Sequence, residues 1–320
     1  MLQVVQSLEA EELNSEERKL YRPIWIRLLP RLEGKNTKTR RNIRTQRDRY
    51  SLMLNRQDEG SVITALQRAF SNATSIQDCL SPESWNVLDE LQRTFGRHRY
   101  KSDPPDTECA RRTRLLSESA MSLIPQFFAV AQNTMLSDDG WRFCQIGLYI
   151  ERALTSANAV QSIFEALSGA GTGESRGEHA TEIQLSAFLR LLGTRDAYRR
   201  VYQVRAQPQQ VLEMIWQNPE VPRSVMHCLN KCRDLLEEPT MRNAPGTKPS
   251  LAAIKSFRLE LEKLSFRKLL VAQPDALTDP LQELLSTTEY LHFVISDSFL
   301  SHQAEISTGS PRAAGRLNVS

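Results

Sequence analysis

The stretch WRFCQIGLYIERALTSANAV, residues 141–160, decides the fold class of this chain. Its apolar side chains recur every three or four positions, which is the period of one face of an α-helix. The stripe continues beyond this stretch and consists of Phe143, Ile146, Ile150, Ala153, Ala157, Val160, Phe164 and Leu167. Because so long a stripe needs a matching apolar surface to cover it, the stretch predicts one long helix packed among others.

Helix-start signals recur along the rest of the sequence. Ser81 precedes Pro82, and Pro208 and Pro280 open further amphipathic runs; serine caps a helix N-terminus and proline fits its first turn. The combined patterns predict helices at 61–80, 82–99, 107–136, 139–168, 180–205, 208–217, 222–238, 249–272 and 279–305. No period-2 strand with hairpin chemistry is present in the sequence. We therefore predict an all-α protein, a bundle of long antiparallel helices.

The predicted organisation has three parts. Residues 1–50 form an acidic and then basic segment that is partly linker, residues 51–306 form the helical bundle, and residues 307–320 form a disordered polar tail. The glycine-bearing loop GAGTGESRG at 169–177 follows a helix and lacks a GK[ST] ending. It therefore reads as a flexible connector rather than a phosphate-binding loop.

The overall composition is that of a soluble globular protein, with 40% hydrophobic and 25% charged residues. No apolar run reaches the length of about 18 residues expected of a membrane span, and the acidic start lacks the features of a secretory signal, so a cytoplasmic location is expected. Five cysteines scattered over helical patterns predict free thiols. Cys228 and Cys232 share a helix face beside His227, but no second ligand pair appears at metal spacing. No metal or cofactor is predicted.

Positive charge is concentrated in residues 31–50. This stretch has eight basic residues against Glu33 and Asp48, a net charge of +6 in a chain whose total is +3. Such a block could meet nucleic-acid phosphates or an acidic partner. Aromatic residues that stack on bases are nearly absent from it. We interpret the block as a solvated linker and helix face, with nucleic-acid binding as a less favoured alternative.

Glu151 and Arg152 are adjacent opposite charges inside the long helix. Neighbouring residues on a helix point about 100° apart, so the two side chains need partners elsewhere. Gly147, one turn earlier, would let another backbone or a ligand approach closely. Two alternatives remain open. In one, Glu151 pairs with Arg199 or Arg223. In the other, an anion is held between Arg152, Arg199 and Arg223 by bidentate guanidinium contacts.

Three motifs carry a resemblance to a known family. WRFCQIGLYIERALTSANAV, LRLLGTRDAYRRVY and NPEVPRSVMHCL resemble the Alpha-E family, bacterial all-helical proteins named for a Glu-Arg motif, and the resemblance runs from about Tyr21 to His302. The most specific matches are Trp141, Glu151, Arg152, Tyr198, Arg199, Pro222, Arg223 and Ser224. Family members commonly open with a helix of the type LYWLGRYLERAE. Here YRPIWIRLLPRLEG at 21–34 instead resembles the variant joined to an ATP-grasp region in longer chains.

The resemblance implies a helical partner of circularly permuted ATP-grasp proteins, which activate carboxylates as acyl-phosphates for attack by an amine. It also implies transglutaminase-like peptidases in the same setting of peptide or amide bond formation and turnover. We therefore predict a non-enzymatic partner protein in which the matched residues form a binding site or polar network. The alternative is an independent enzyme that uses Glu151 as acid or base. No serine elbow, HExxH motif or ordered Ser/His/Asp set accompanies Glu151 in the sequence.

Overall fold

The computed structural model describes residues 45–168, 178–244, 246–272 and 278–306. These residues contain no β-strand, so the all-α prediction is confirmed. The helices are α1 Gln46–Leu54, α2 Val62–Ser75, α3 Pro82–Gly96, α4 Asp106–Thr134, α5 Asp139–Ser168, α6 Glu178–Leu191, α7 Arg195–Tyr202, α8 Pro208–Gln217, α9 Val225–Leu236, α10 Thr247–Lys263, α11 Phe266–Ala272 and α12 Thr278–Ile306. The predicted connector at 169–177 and the predicted tail at 307–320 lie outside the described residues.

The helix predicted from the 141–160 stretch is α5. Asp138 caps its start, because a carboxylate oxygen of Asp138 accepts a hydrogen bond from the Trp141 backbone N–H at 3.0 Å. The central part of the predicted stripe is buried, at Ile146, Ile150, Ala153, Ala157, Val160 and Phe164. The apolar period of the sequence therefore marks the face of α5 that contacts the core.

Helices α9 and α12 cover two sides of α5, and both run antiparallel to it. The contacting pairs occur in reverse sequence order: Phe143–Phe299 and Glu151–His292 against α12, and Ile146–Cys232, Tyr149–His227 and Ser156–Arg223 against α9 and the residues just before it. Further along the chain, α10 packs on both α9 and α12. The two sides of α5 consequently face different elements, which separates the environments of neighbouring residues on this helix.

Helices α1 to α4 form a second group, in which α4 packs on both α1 and α3. The sequence patterns did not predict α1. Its N-terminus has a capping box, in which the Thr45 hydroxyl accepts from the Asp48 N–H at 3.1 Å and the Asp48 carboxylate accepts from the Thr45 N–H at 2.7 Å. Its buried residues, Tyr50, Leu52, Met53 and Leu54, are clustered rather than spaced by a helical period. No apolar stripe therefore marked α1.

The helix predicted at 180–205 is divided in the structure. Helix α6 ends at Leu191, and Gly193 adopts a φ of +67°, the left-handed conformation that commonly follows a helix C-terminus. Helix α7 then begins at Arg195 as a separate element. Gly193 is a helix C-terminus signal, and the prediction missed it because the apolar pattern continues on both sides of it.

The helix predicted at 249–272 is also divided, between Lys263 and Phe266. The side-chain amide of Gln217 donates hydrogen bonds to two carbonyls at the end of α10, at 2.6 and 2.8 Å. A distant side chain thus satisfies carbonyls that the helix leaves unpaired. Ser265 is a local signal for this break, because its hydroxyl accepts a hydrogen bond from the Lys268 N–H at 3.4 Å at the start of α11.

A single bundle of long antiparallel helices is not established for the whole chain. Helices α4, α5 and α12 have 29, 30 and 29 residues, whereas α7 and α11 have 8 and 7. The α1–α4 contacts run in the same sequence order, with Arg47 near Asp106 and Met53 near Ser117. These two helices are therefore not antiparallel. Within the described ranges, no helix is both long and apolar enough to cross a membrane.

Candidate functional site

Glu151 lies on the exposed side of α5 that faces α12. Its side chain is 68% exposed, and its Oε1 lies 3.5 Å from Nε2 of His292. The predicted pairing with Arg199 or Arg223 is not found, because α12 rather than α7 or α9 borders this side of α5. Acid–base catalysis usually relies on a carboxyl group in a closed site, so this exposure does not favour the alternative of an enzyme that uses Glu151.

Arg152 lies on the other side of α5, which faces α9. Its guanidinium carbon lies 5.5 Å from the centroid of the Tyr149 ring, which is a cation–π distance. The Tyr149 ring in turn lies 6.2 Å from the ring of His227. His227 Nδ1 lies 2.7 Å from the Pro219 carbonyl oxygen, which can only accept, so Nδ1 carries the proton. Glu151 thus contacts α12, whereas Arg152 packs on a tyrosine of its own helix that in turn faces α9.

Arg223 lies on the same side of α5 as Arg152, two residues before the start of α9. The sequence placed Arg223 and Ser224 in the first turn of this helix, but Ser224 is its N-cap and Arg223 precedes it. The Ser224 hydroxyl accepts from the His227 N–H at 3.0 Å and donates to the Asn218 carbonyl. The backbone carbonyl of Arg223 accepts from the buried Ser156 hydroxyl at 2.7 Å. These bonds hold the backbone of Arg223 against α5.

Arg152 and Arg223, called the arginine pair below, lie close enough to repel each other. Burial lowers the pKa of the Arg223 guanidinium, and the positive charge of Arg152 lowers that pKa further. Burial raises the pKa of the neighbouring Cys228 thiol to about 12, although both guanidinium groups act in the opposite direction. Neither arginine forms an ion pair with a carboxylate among the described residues. Two partly buried like charges without a carboxylate are an arrangement suited to binding an anion.

Arg199 and Tyr198 belong to a different part of the molecule. They line a cleft of about 760 Å³ beside α6 and α7, and the residues that line it include neither Arg152 nor Arg223. The structure therefore divides the three-arginine group predicted from the sequence. It brings Arg152 and Arg223 together and leaves Arg199 at the cleft.

The structure also shows the surroundings of three other residues that the sequence singled out, Tyr198, Trp141 and Gly147. The Tyr198 hydroxyl donates to the Arg205 carbonyl at 3.0 Å and accepts from the Gln207 N–H at 3.2 Å, so it holds a loop. Trp141 is half-buried at the start of α5, where its N–H is capped. A Cβ added at Gly147 would meet nothing within 4 Å. No backbone therefore approaches Gly147 closely, and the approach of a ligand there stays a prediction.

Helical spacing explains which neighbours of Arg152 could be foreseen. Tyr149 and Ser156 lie three residues before and four residues after Arg152, and this spacing places all three on one side of α5. The sequence reasoning did not find His292 as the partner of Glu151, and it considered His227 only as a neighbour of two cysteines. Both contacts join helices that are far apart in the chain, so no local pattern could reveal them.

The basic segment at 31–50 is described only from residue 45. Arg47 pairs with Asp103 at 2.6 Å and with Asp106 at 3.0 Å, and Arg49 is only 7% exposed. These two of the eight basic residues are therefore engaged within the fold, which does not favour their use in nucleic-acid binding. The other six precede the described residues. Across the described ranges, no three His, Cys, Asp or Glu side chains are grouped so that they could hold a metal ion.

In the described ranges, the fold and this site define a helical protein with a Glu-Arg sequence in the longest of its described helices. A family model described as a predicted alpha-helical domain with a conserved ER motif matches residues 1–300. The chain belongs to this family, Alpha-E. The resemblance derived from the three motifs is confirmed, and the match begins at residue 1 rather than near Tyr21.

The relatives found for this chain are much longer than the chain itself. It is 25% identical over 239 residues to an uncharacterised protein of Mycobacterium tuberculosis (strain ATCC 25618 / H37Rv) and to one of Mycobacterium bovis. These alignments cover 74% of this chain but 26% of each relative, so the chain spans about a quarter of the length of the curated relatives it matches. No solved structure matches the chain.

Proposed function

We propose that this protein is the helical partner of an ATP-grasp ligase that forms or modifies peptide or amide bonds. The observation that carries the proposal is the arginine pair, Arg152 and Arg223, which are close together and have no carboxylate partner among the described residues. ATP-grasp chemistry proceeds through carboxylates and acyl-phosphates, and both are anions that guanidinium groups bind in a bidentate manner. The family resemblance indicates the class of partner. The arginine pair is the candidate site for a carboxylate or acyl-phosphate of that chemistry.

Electrostatics favours an anion over a neutral ligand at this site. Burial and repulsion both disfavour the charged form of Arg223 in the free protein. An anion held between the two guanidinium groups would offset the repulsion and replace the hydrogen bonds that Arg223 lost with water. The Tyr149 ring packs against the Arg152 guanidinium and restricts its orientation in the free protein. Less conformational entropy is therefore lost when an anion binds.

The position of the arginine pair also suits a site at a protein junction. Arg223 is held by backbone contacts to α5 rather than by its own side chain, because Ser156 bonds its carbonyl oxygen. The guanidinium can therefore reorient towards a partner without disrupting the helix packing. The length of the relatives agrees with a partner role, because the region they share with this chain is 26% of each of them.

Affinity capture of the tagged protein from its own cells tests the proposal. We expect an ATP-grasp protein to co-elute with the wild-type chain, and its recovery to fall at least about fivefold for the double variant Arg152→Gln/Arg223→Gln. Arg142→Gln is the matched control, since Arg142 lies on the same helix but pairs with Asp139 at 3.2 Å. Its recovery should equal that of the wild type.

Melting temperatures of all three proteins establish that the variants are folded. Repeated recovery of the wild-type chain alone at low salt would contradict the partner role. Equal recovery of an ATP-grasp protein by the wild type and the double variant would contradict the role of the arginine pair.

A further inference from the structure

Two large aromatic side chains lie exposed on the outer side of α12. Tyr290 is 62% exposed and Phe293 is 60% exposed, whereas Leu291 and Ile295 of the same helix are buried in the core. The two exposed residues are one turn apart, so their side chains are neighbours on the helix surface. Exposed apolar residues are ordinarily scattered singly, and adjacent ones indicate a surface that contacts something else.

Acidic residues continue this side of α12 towards its start. Asp279, Glu283, Tyr290 and Phe293 are all exposed and follow one another at intervals of four, seven and three residues, which places them along one face of the helix. The whole of α12, Thr278–Ile306, contains five acidic residues and no lysine or arginine. This face is therefore both aromatic and negatively charged.

A carboxylate of α10 adds to the negative charge. Helix α10 runs antiparallel to α12, because Gly246 lies against the backbone of Ser298 and Glu260 lies near Glu283. Burial raises the pKa of the Glu260 carboxyl, and the negative charge of Glu283 raises that pKa further. Neither carboxylate forms an ion pair with a cation of the described residues. A basic side chain placed between them would offset their repulsion.

The chain itself contains a segment of complementary composition. Residues 21–44, YRPIWIRLLPRLEGKNTKTRRNIR, precede the described residues. The first twelve include seven large apolar residues, among them Tyr21 and Trp25, and the whole segment has eight basic residues against the single acidic residue Glu33. So apolar a stretch gains free energy when it is covered, and its positive charge matches the acidic surface of α12.

The length of the segment allows it to lie on a helix outside the α1–α4 group. Its 24 residues lead directly into Thr45, the N-cap of α1. An extended chain of that length spans up to about 80 Å, which exceeds the length of about 45 Å expected of the 30-residue helix α5. The tether therefore restricts the segment to its own molecule without fixing it beside α1.

We propose that residues 21–44 dock on the outer face of α12 in their own chain. Here the α12 face means Asp279, Glu283, Tyr290 and Phe293 together with Glu260 of α10. The apolar residues 21–32 cover the two aromatic rings, and basic side chains of the segment approach the carboxylates. The inference does not depend on the partnership with an ATP-grasp protein, because it concerns the free chain and uses neither residue of the arginine pair.

Hydrogen–deuterium exchange of the purified full chain, followed by mass spectrometry, tests the inference. We expect the amides of residues 21–32 to exchange at least about tenfold more slowly in the wild type than in the double variant Tyr290→Ser/Phe293→Ser, because docking protects them. Leu136→Ser is the matched control. Leu136 is 78% exposed but precedes α5, whereas Tyr290 and Phe293 flank His292, which contacts Glu151 further along α5. Its exchange should equal that of the wild type.

Reversal of charge tests the acidic part of the α12 face. The double variant Glu260→Lys/Glu283→Lys should speed exchange of residues 21–32 at least about threefold, because like charges then repel the segment. Glu238→Lys is the matched control, since Glu238 is exposed after α9 and forms no ion pair with a cation of the described residues. Melting temperatures establish that the variants are folded, and the charge variant provides an independent test if the aromatic variant unfolds.

Carbodiimide coupling identifies the occupant of the face. This reagent joins a carboxylate to a lysine amine in direct contact, so we expect links from Lys35 or Lys38 to Glu260 or Glu283. In a mixture of isotope-labelled and unlabelled chains, links within chains of one label support the inference, whereas links that combine both labels would show that a second copy is the occupant and would overturn it. The inference is also overturned if residues 21–32 exchange as fast in the wild type as in the folded aromatic variant.

Discussion

Arg223 carries a charge that its surroundings in the free protein disfavour. Burial and the neighbouring Arg152 both lower the pKa of its guanidinium, and no described carboxylate compensates for them. By contrast, the Glu151–His292 pair is largely exposed and contributes little to the free energy of unfolding. In the Glu-Arg sequence, the charge of Glu151 is therefore solvated, whereas the charge of Arg152 lies beside Arg223, which has no described carboxylate partner.

Replacement of Arg223 should separate stability from binding. Arg223→Gln removes a partly buried charge and its repulsion with Arg152, so we expect the free energy of unfolding to stay unchanged or to rise by up to about 1 kcal/mol. Urea unfolding at low ionic strength measures this change. Arg112→Gln provides the comparison, because the Arg112 side chain is 16% exposed and paired with Glu108. That variant should lose about 1 kcal/mol. Equal losses for the two variants would contradict the expectation.

Glycine positions determine where the helices end and where they approach each other. A Cβ at Gly246, at the start of α10, would lie 2.7 Å from the Ser298 carbonyl oxygen of α12, so this contact requires glycine. The close approach that the sequence suggested at Gly147 therefore occurs at Gly246 instead. Gly193 has a different role: its positive φ ends α6 and separates it from α7.

Alanine at two of these glycines should have opposite effects. At Gly193, with a φ of +67°, alanine is expected to lower the free energy of unfolding by about 1 kcal/mol because the left-handed backbone crowds a Cβ. At Gly147, inside α5 and with open space around it, alanine should raise that free energy by about 0.5–1 kcal/mol through its higher helix propensity. Urea unfolding followed by circular dichroism compares the two variants. The same sign of change at both positions would contradict this assignment.

The whole molecule divides its five free thiols into two classes. Cys79 and Cys144 are exposed, whereas Cys109, Cys228 and Cys232 are buried. Burial raises the pKa of the Cys228 thiol to about 12 and also raises the pKa of Cys232, so both thiols stay protonated at neutral pH. Thiolates are the reactive form of cysteine, so burial and protonation act in the same direction.

Thiol labelling at neutral pH is expected to modify the two exposed cysteines quickly. The three buried thiols should react at least about a hundredfold more slowly, because reagent reaches them only when the helices open. Labelling with a chromogenic disulfide, followed by mass spectrometry, counts the modified sites. In denaturant all five thiols should react, which controls for the reagent. Fast labelling of Cys228 or Cys232 in the folded protein would show that α5 and α9 are not packed as described.

The sequence by itself determined the class of the fold and most of its helices. The apolar stripe predicted α5 at 139–168, and the Gln207-Pro208 start predicted α8 at 208–217, in agreement with the structure. Ser81 caps α3 as expected, with its hydroxyl accepting from the Ser84 N–H. Helical period and capping are local properties, because they depend on residues three or four positions apart, and a sequence displays them directly.

Only the tertiary structure decided which polar residues meet. It paired Glu151 with His292, placed Arg152 beside Arg223, and assigned Arg199 to a separate cleft. A helical pattern states which face of α5 is buried, but it does not state which helix covers each side. That choice depends on the packing of elements far apart in the chain, so the neighbours of Glu151 and Arg152 followed from the antiparallel arrangement of α5 with α9 and α12.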